Sequence, residues 1–446
     1  MWRKWGGLGR RLLPDFSERI EHFILTRVPT HVFLNSRQRQ HAVTYQAMDV
    51  KVLHVIPSIS PLRGGPSQAA IEMVGALRTH GVEAEIVTTN DHGPDLLDVP
   101  LNQRIEYQHV PVRFFSRFSP SMHAAREFAF SHQLTTWLWH QVRNYDLLHV
   151  HAIFSYPSTI AMAIARQKQV PYINRPLGQL CEWSLQQSAR KKQTYLQLIE
   201  RSNLNQSTAL HFTSHQEHQE TKRLGLKTPG VVLPHGLTLA PAIPNARQRL
   251  RQQFNLPADE PIILFLSRLH PKKGLDYLIP ALGKLRHYRF TFILAGNGSP
   301  EYETEVEALL RQYELSDRTC RAGFVTGEKK DLLLQGSDLF ALTSHSENFG
   351  VAVLEAMAVG LPVIVTPGIA LAAVVAEHQL GLVPRLNAEA ISFAIDHCLS
   401  HPEQRREMGD RARQLVLAKY TWKQVTAQMQ QTYAAIRQQK PLPVFD

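Results

Sequence analysis

The sequence predicts an α/β protein made of two doubly wound parallel sheets. Short continuous apolar runs alternate with helical stretches along most of the chain, which is typical of parallel strands covered on both faces. The alternation occurs as two series, separated near residues 234–261 by a proline-rich segment. The chain has 446 residues and is 43% hydrophobic, so it is long enough to form two cores of ordinary size.

The first series of elements starts at Val50. Apolar runs predict strands at residues 52–56, 85–88, 147–151 and 210–213. Helical patterns are predicted near residues 67–79, 121–143, 156–167 and 184–202. Because helices separate the strands, the strands must run parallel, with helices on the faces of the sheet.

The second series follows Pro241, Pro244 and Pro257, with a polar stretch at residues 245–249 that predicts a helix leading into it. Strands are predicted at residues 262–266, 290–295, 339–342 and 362–365. Helices are predicted near residues 275–286, 301–312, 328–335 and 350–359, and a helical region at 402–438 closes the chain.

These patterns predict four segments with boundaries at 1–48, 49–240, 241–420 and 421–446. The two central segments are Rossmann-like domains, and the last is a helix with a tail. Ligands of doubly wound sheets bind beyond the carboxyl ends of the strands, so we expect the site in the cleft between the two domains.

Residues 1–48 form a basic extension with eight Lys and Arg against three Asp and Glu, part of a formal net charge of +11. Two hypotheses remain open. The segment is either a peripheral, tryptophan-bearing arm that contacts an anionic membrane surface, or an upstream start placed ahead of a native start at Met48. We favour the second.

The composition also argues against several protein classes. No apolar stretch approaches the roughly 18 residues of a membrane-spanning helix. Cys181, Cys320 and Cys398 are scattered without metal or disulfide spacing, which favours a reducing cytosol. A nucleic-acid-binding protein is disfavoured because no basic motif interleaved with aromatic residues is present. The sequence therefore predicts a cytoplasmic protein, with contact to the inner membrane face left open.

Two glutamates carry the strongest functional signal in the chain. Glu355 lies inside the apolar helical run 350–360, where an ionised carboxylate without partners costs several kcal/mol. Glu347 precedes the same helix, with seven residues between the two acids. Both can face one object over the helix N-terminus, where free backbone amides favour phosphate. A polyhydroxylated, phosphorylated ligand fits this arrangement.

Two loops add groups that suit a diphosphate. Arg268 and Lys273 follow the strand at 262–266 and place cations at the edge of the second sheet. Gly64 and Gly65 follow the first strand and open a helix, so backbone can approach a ligand there.

The carboxyl ends of two strands in the first half offer further candidates. Alternation places His149 and His151 on one side of their strand. A zinc ion could use such a pair, but it needs further ligands that the sequence does not clearly supply. His211, His215 and His218 are better explained as part of a polar helix start. Another carboxyl-end loop, residues 174–178, could contact substrate.

The chain lacks an Asp-x-Asp triplet, the usual carboxylate clamp for a metal on a nucleotide sugar. Cationic side chains and helix ends would then take the place of a metal, and we predict that no metal or other cofactor is needed.

Residues 265–276 and 344–363 together closely resemble the family 4 glycosyltransferases, retaining sugar-nucleotide enzymes of GT-B fold. The resemblance covers about residues 50–438, and residues 175–185 are similar to bacterial exopolysaccharide and lipid-linked oligosaccharide members. It implies an acceptor-side N-terminal domain, a nucleotide-sugar-binding C-terminal domain and a last helix that crosses back.

The same resemblance implies roles for individual residues. Arg268 and Lys273 would hold the donor diphosphate, Glu355 the ribose and Glu347 the donor sugar. The remaining donor contacts would come from Gly65 and from the amides of Phe349, Gly350 and Val351. His151 and Glu347 would lie at the catalytic centre, and Arg175 and Gly178 would lie on the acceptor side.

The implied reaction moves a hexose from a GDP- or UDP-sugar to a hydroxyl of a saccharide or a lipid-linked saccharide. His235 and Thr343 depart from the usual family residues and put sugar preference in doubt more than activity. The alternative is a sugar-nucleotide epimerase of the same fold.

Overall fold

The computed structural model describes residues 50–122 and 126–445. The predicted basic extension at residues 1–48 lies outside this range. Within it, two parallel sheets belong to one compact unit. In the described part, no helix has the length and the apolar character needed to cross a bilayer.

The first sheet contains eight strands from the first half of the chain. Its order is β10-β9-β8-β7-β1-β2-β6-β5, parallel except for the antiparallel edge pair β5 and β6. The strands are β1 Lys51–Val55, β2 Glu83–Thr89, β5 Arg104–Tyr107, β6 Val110–Phe115, β7 Leu147–His151, β8 Tyr172–Arg175, β9 Ala209–Phe212 and β10 Gly230–Val232. A separate short hairpin joins β3 Asp91–His92 and β4 Asp95–Leu96.

The second sheet has six parallel strands in the order β13-β12-β11-β14-β15-β16. They are β11 Ile262–Leu266, β12 Thr291–Ala295, β13 Thr319–Gly323, β14 Leu339–Leu342, β15 Val363–Val365 and β16 Gly381–Leu382. Strands β11, β12 and β14 are buried along their whole length, as expected of central parallel strands.

Helices cover both sheets. In the first half they are α1 Gly65–Thr79, α2 His132–Gln141, α3 Tyr156–Lys168, α4 Glu182–Gln186, α5 Ala189–Tyr195, α6 Arg201–Asn205 and α7 His215–Lys222. In the second half they are α8 Ala246–Phe254, α9 Leu275–Gly283, α10 Pro300–Gln312, α11 Gly327–Gly336, α12 Val351–Ala358, α13 Ala372–Glu377, α14 Ala388–Ser400, α15 Pro402–Lys419 and α16 Trp422–Arg437.

Two predicted helices of the first half differ from the structure. The helix expected near 121–143 is not continuous: Arg126 and Glu127 are helical, and a separate helix begins at His132, where Ser131 accepts a hydrogen bond from the Leu134 amide. The helix expected over 184–202 is broken at Ser188, which adopts a left-handed conformation, and contains a π-helical turn at Leu196–Glu200.

The last helix crosses back from the second sheet to the first, as the resemblance implies. Trp422, Val425, Met429, Tyr433 and Ile436 of α16 are buried in the core that α1 forms with the first sheet. Burial of this apolar face anchors the C-terminus to the opposite half of the chain.

The two chain segments that pass between the halves lie side by side. The Leu237 amide donates to the Tyr420 carbonyl at 2.8 Å, and Leu237 also pairs with Thr421 as an isolated parallel bridge. A side chain on Gly236 would come within 2.3 Å of the Trp422 ring, so only glycine permits this approach. The crossing is therefore tightly packed.

We expect Met429→Ala to lower the free energy of unfolding by about 2–5 kcal/mol, since it leaves a cavity between α16 and the first sheet. Thermal unfolding followed by circular dichroism measures the change. Gln431→Ala, on the exposed face of the same helix, is the control and should leave the melting temperature unchanged. Equal melting temperatures for both variants would show that α16 contributes little to the core.

Candidate active site

A close backbone contact shapes the loop after β11. Gly274 has φ of +69°, and a Cβ atom there would lie 2.0 Å from the Thr343 carbonyl oxygen. Only glycine allows the loop after β11 to pack against the loop after β14. This contact brings Lys273 alongside the loop that carries Glu347.

Lys273 and Glu347 form an ion pair between these two loops. Their side chains are 12% and 17% exposed. The Ser344 hydroxyl also donates to Glu347 Oε1 at 3.2 Å, and the Glu347 amide donates to the Gly368 carbonyl at 2.9 Å. The carboxylate is thus held at the carboxyl edge of the second sheet.

Glu355 has a different cation as its partner. It lies in α12, and Lys330 Nζ from the neighbouring α11 approaches its Oε1 at 2.5 Å. Burial raises the pKa of Glu355, and the ammonium of Lys330 opposes this effect. The apolar helix tolerates this carboxylate because an adjacent helix supplies a lysine.

No side chain caps the N-terminus of α12. Gly350 has φ of +93° and supplies no capping side chain, so the first amides of the helix are available to an anion. Phe349 is buried, and its ring lies 6.0 Å from that of His235. Arg268 is exposed on the loop after β11 and makes no ion pair with any described residue.

Loops from both sheets meet around a cleft of about 140 Å³. Asn348 Nδ2 donates to Thr213 Oγ1 at 2.9 Å, and Lys272 Nζ lies 4.2 Å from the Trp183 ring centre. The residues that line the cleft include Gly178, Gln179, Cys181, Trp183, Glu217, Lys272, Glu347 and Asn348. Both halves of the chain therefore contribute side chains to this cleft.

Glu217 organises the first-sheet side of this cleft. Its carboxylate accepts from the Gly178 amide at 2.6 Å and from the amide and hydroxyl of Thr213 at 2.8 and 2.9 Å. Burial raises the pKa of Glu217, while these hydrogen bonds favour the ionised form. The result is a fixed position for the Gly178 loop.

The glycine turn before α1 is anchored by charged side chains. Arg63 binds both carboxylate oxygens of Asp91, at 2.7 and 2.8 Å, and Arg117 pairs with the same carboxylate. Gly65 is exposed, and a Cβ atom there would meet nothing within 4 Å. Open space thus surrounds this turn.

Four histidines lie together beneath α16, on one face of the first sheet. They are His54 of β1, His149 and His151 of β7, and His211 of β9, and all are fully buried. The prediction that His149 and His151 share one side of their strand is confirmed by ring centres 4.8 Å apart. The expectation that His211 belongs to a helix start is wrong, because it lies in the strand and α7 begins at His215.

The hydrogen bonds of this cluster fix the proton positions on two of the rings. His211 Nε2 lies 2.8 Å from the Leu233 carbonyl and must donate to it, which leaves Nδ1 as an acceptor. His149 Nε2 therefore donates to His211 Nδ1 at 3.1 Å, and His149 Nδ1 accepts from the Tyr433 hydroxyl at 2.8 Å. One directed chain links α16 to the backbone after β10.

Arg175 lies beside this cluster, paired in register with His151. It is 1% exposed, and its Nε and Nη1 atoms have no hydrogen-bond partner in the described part of the chain. Burial lowers the pKa of Arg175 to about 10, opposed by the charge of Glu217. Burial lowers the pKa of His54 to about 3, and the Arg175 charge adds to this effect.

The nitrogens of His54, His149 and His151 all lie within 4.8 Å of one another, close enough to surround a metal ion. The group contains no carboxylate, and the positive Arg175 guanidinium lies next to it. A divalent cation would meet electrostatic repulsion there, so the residues fit a metal poorly.

The predicted site residues therefore separate into two groups. In the first group, Glu347 and Gly178 line the cleft, and Lys273 joins them through its ion pair with Glu347. Arg268 is exposed on the same loop as Lys273, and Gly65 lies on the open turn before α1. The remaining members follow Asn348 along the chain; they are Phe349, Gly350, Val351 and Glu355. His151 and Arg175 are buried behind the first-sheet wall, against the face that α16 covers.

Sequence reasoning missed two contributors, Lys330 and Asn348. Lys330 lies in a helix among other charged residues, so no local pattern separates it from a solvated lysine. Asn348 stands between Glu347 and Phe349, and its contact with Thr213 depends on how the halves pack.

Two Rossmann-like halves that face each other across a cleft, with a last helix crossing back, form a GT-B fold. The sequence matches the family described as glycosyl transferases group 1 over residues 246–415. It matches the glycosyl transferase 4-like domain over residues 64–236.

Individual relatives agree with this classification. Over 393 residues the chain is 27% identical to the D-inositol 3-phosphate glycosyltransferase of Xylanimonas cellulosilytica, covering 85% of this chain and 93% of that protein. Sucrose-phosphate synthase from Thermosynechococcus elongatus superposes with a TM-score of 0.71 at 22% identity, covering 87% of this chain and all of the other (100%).

A further similar fold is that of Anabaena HepE in complex with UDP and glucose, with a TM-score of 0.69, 20% identity and coverage of 86% of this chain and 100% of that one. The chain belongs to the group 1 glycosyltransferases, and it is a transferase enzyme.

The buried histidines predict that acid destabilises the fold. Burial holds the pKa of each ring well below the value near 6.5 of an unfolded chain, so below that pH the unfolded state binds more protons. The contribution of the neutral histidines to the free energy of unfolding should be fully present above about pH 6.5. Below that pH the free energy of unfolding should fall, by up to about 1.4 kcal/mol per pH unit for each histidine.

Melting temperatures measured between about pH 7.5 and pH 5.5 test this expectation. His54→Leu removes one titrating ring and should reduce the slope of melting temperature against pH, whereas the exposed His132→Leu should not. A melting temperature that does not change over this range would contradict the argument.

Proposed function

We propose that this enzyme is a retaining, metal-independent glycosyltransferase that moves a hexose from a nucleotide diphosphate sugar to a hydroxyl of a saccharide or lipid-linked saccharide. The supporting observation is the arrangement at the edge of the second sheet. There, two lysine-paired glutamates flank an uncapped helix N-terminus that faces the other half of the chain.

The donor diphosphate is assigned to the cations of the loop after β11. Arg268 is exposed and unpaired within the described residues, so its planar guanidinium can bind two phosphate oxygens. Lys273 can direct its ammonium to phosphate while it remains beside Glu347. The amides of Phe349, Gly350 and Val351 would complete the anion site at the start of α12.

The two glutamates are assigned to hydroxyl groups. Glu355 would accept hydrogen bonds from the ribose, and Glu347 from the donor sugar. Their carboxylates belong to opposite ends of one short segment, so a single extended ligand can reach both. Gly65, with open space around it, would approach the diphosphate from the first half.

The acceptor is assigned to the first-sheet wall, where Gly178 and Trp183 line the cleft. His151 and Arg175 would act from behind that wall, His151 near the donor sugar and Arg175 on the acceptor side. Because both side chains are buried, they would orient the strand ends, and the charged Arg175 would add a positive potential behind the wall.

In the proposed reaction, the bond between the sugar and the β-phosphate breaks as the acceptor hydroxyl attacks from the same face. The departing phosphate takes the hydroxyl proton, so no side chain needs to act as nucleophile. Arg268, Lys273 and the start of α12 would stabilise the negative charge that develops on the phosphate, a preorganised electrostatic contribution.

Similar proteins support a nucleotide sugar as donor. HepE was crystallised with UDP and glucose, and a mycobacterial relative is described as GDP-mannose-dependent. These relatives use different bases, so we assign a UDP- or GDP-sugar without choosing between them.

A panel of UDP, GDP and ADP and their hexose sugars, scored by thermal shift, tests donor class. We expect one nucleoside diphosphate series to raise the melting temperature, because binding to the folded state stabilises it. Addition of EDTA should leave the shift unchanged. Conversion of a donor sugar in the absence of any acceptor would favour the epimerase alternative.

Lys273→Ala should reduce transfer by about 10²- to 10³-fold, because it removes a cation from the developing charge on phosphate. Product formation with the donor selected by the panel measures the loss. Lys284→Ala, which removes an exposed lysine at the end of α9, is the control. A folded Lys273→Ala protein with normal activity would refute the donor assignment.

A further inference from the structure

Lys330 is a cation beside Glu355 that neither the sequence motifs nor the proposed donor contacts include. It lies in α11, and its Nζ atom is 2.5 Å from Glu355 Oε1 in the adjacent α12. The Lys330 and Glu355 side chains are 28% and 18% exposed. An ion pair at this depth is shielded from bulk water more than a surface ion pair. Removal of Lys330 would therefore leave the Glu355 carboxylate partly buried without its cation, which is unfavourable.

The surroundings of Lys330 are strongly acidic. Besides Glu355, the carboxylates that act on it are those of Asp331 in the same helix and Glu72 in α1. Glu72 belongs to the other half of the chain, where it accepts hydrogen bonds from Gln68 at 3.1 Å and Trp422 at 3.2 Å. Three carboxylates therefore interact electrostatically with this one lysine.

The same acids determine what Glu355 would do without Lys330. Burial raises the pKa of Glu355, and Glu72 and Asp331 raise it further, whereas Lys330 lowers it. Removal of the lysine leaves only influences that favour the protonated acid. A protonated carboxyl accepts hydrogen bonds from ribose hydroxyls less well than a carboxylate.

We propose that Lys330 is a positioning residue of the donor site, which keeps Glu355 ionised and directed toward the ribose of the nucleotide. The inference depends on the ribose role proposed above for Glu355. Lys330 itself acts through Glu355, in contrast to Lys273, whose assigned partner is the donor phosphate.

Lys330 also interacts with a carboxylate of the other half of the chain, Glu72 in α1. Glu72 is held by Trp422, at the point where the chain crosses back to the first sheet. Lys330 thus pairs with the proposed donor-site carboxylate and also interacts electrostatically with a carboxylate fixed at the crossing. Its single positive charge stabilises both acids at a place where the two halves meet.

Binding of UDP and GDP, measured by calorimetry between about pH 5.5 and pH 8, tests the proposal. Lys330→Met should weaken binding of the preferred nucleotide about tenfold, and the loss should grow as the pH falls, since one pKa unit corresponds to about a tenfold change in the ionised fraction. Lys330→Arg should restore most of the affinity, because it restores the charge. Lys329→Met, an exposed neighbour in the same helix, is the matched control.

The outcomes separate this inference from the proposed function. If Glu355→Gln binds weakly while Lys330→Met matches the wild type in affinity and pH profile, the positioning role is overturned and the donor site stands. If Glu355→Gln binds as tightly as the wild type, the ribose assignment fails, and the role of Lys330 fails with it. A loss in Lys330→Met that is equal at every pH and not rescued by arginine would indicate structural damage and overturn the proposal.

Discussion

The packing of the crossing segments determines where the two sheets face each other. Leu237 and Tyr420 are hydrogen-bonded where the chain leaves and re-enters the first half, and Trp422 packs directly onto Gly236. From there α16 inserts an apolar face into the first core. His235 connects this junction to the cleft, since its ring lies 5.5 Å from Trp422 and 6.0 Å from Phe349.

The charged side chains of the candidate donor site form two lysine–glutamate pairs, each between neighbouring elements of the second half. Lys273 pairs with Glu347 between two loops, and Lys330 pairs with Glu355 between two helices. Each lysine lowers the cost of holding a carboxylate in a partly buried position. The site therefore contains acids and cations close together, which suits a ligand that carries both hydroxyl groups and phosphate.

Local sequence was sufficient to predict those elements and site residues that one short pattern of neighbouring residues determines. The strand Ile262–Leu266 was predicted to the residue because a run of five apolar side chains, bounded by Pro261 and a polar loop, is typical of a buried strand. Glu355 was recognisable because an acid conflicts with the helix around it. The partners of these groups were not predictable, since Lys330 and Asn348 acquire their roles from packing between distant segments. Glu200, at the end of the π-helical turn, likewise accepts a hydrogen bond from Thr159 in α3 at 2.5 Å, a contact between separate segments that local sequence does not show.

The directed hydrogen bonds beneath α16 make its docking sensitive to rotation as well as to burial. The chain starts at the Tyr433 hydroxyl and ends at the Leu233 carbonyl, with His149 and His211 between them. A helix that slid or turned by one residue would still bury apolar surface, but it would leave His149 Nδ1 as a buried acceptor without a donor. The polar chain therefore selects one register for the last helix among several that hydrophobic contact alone would accept.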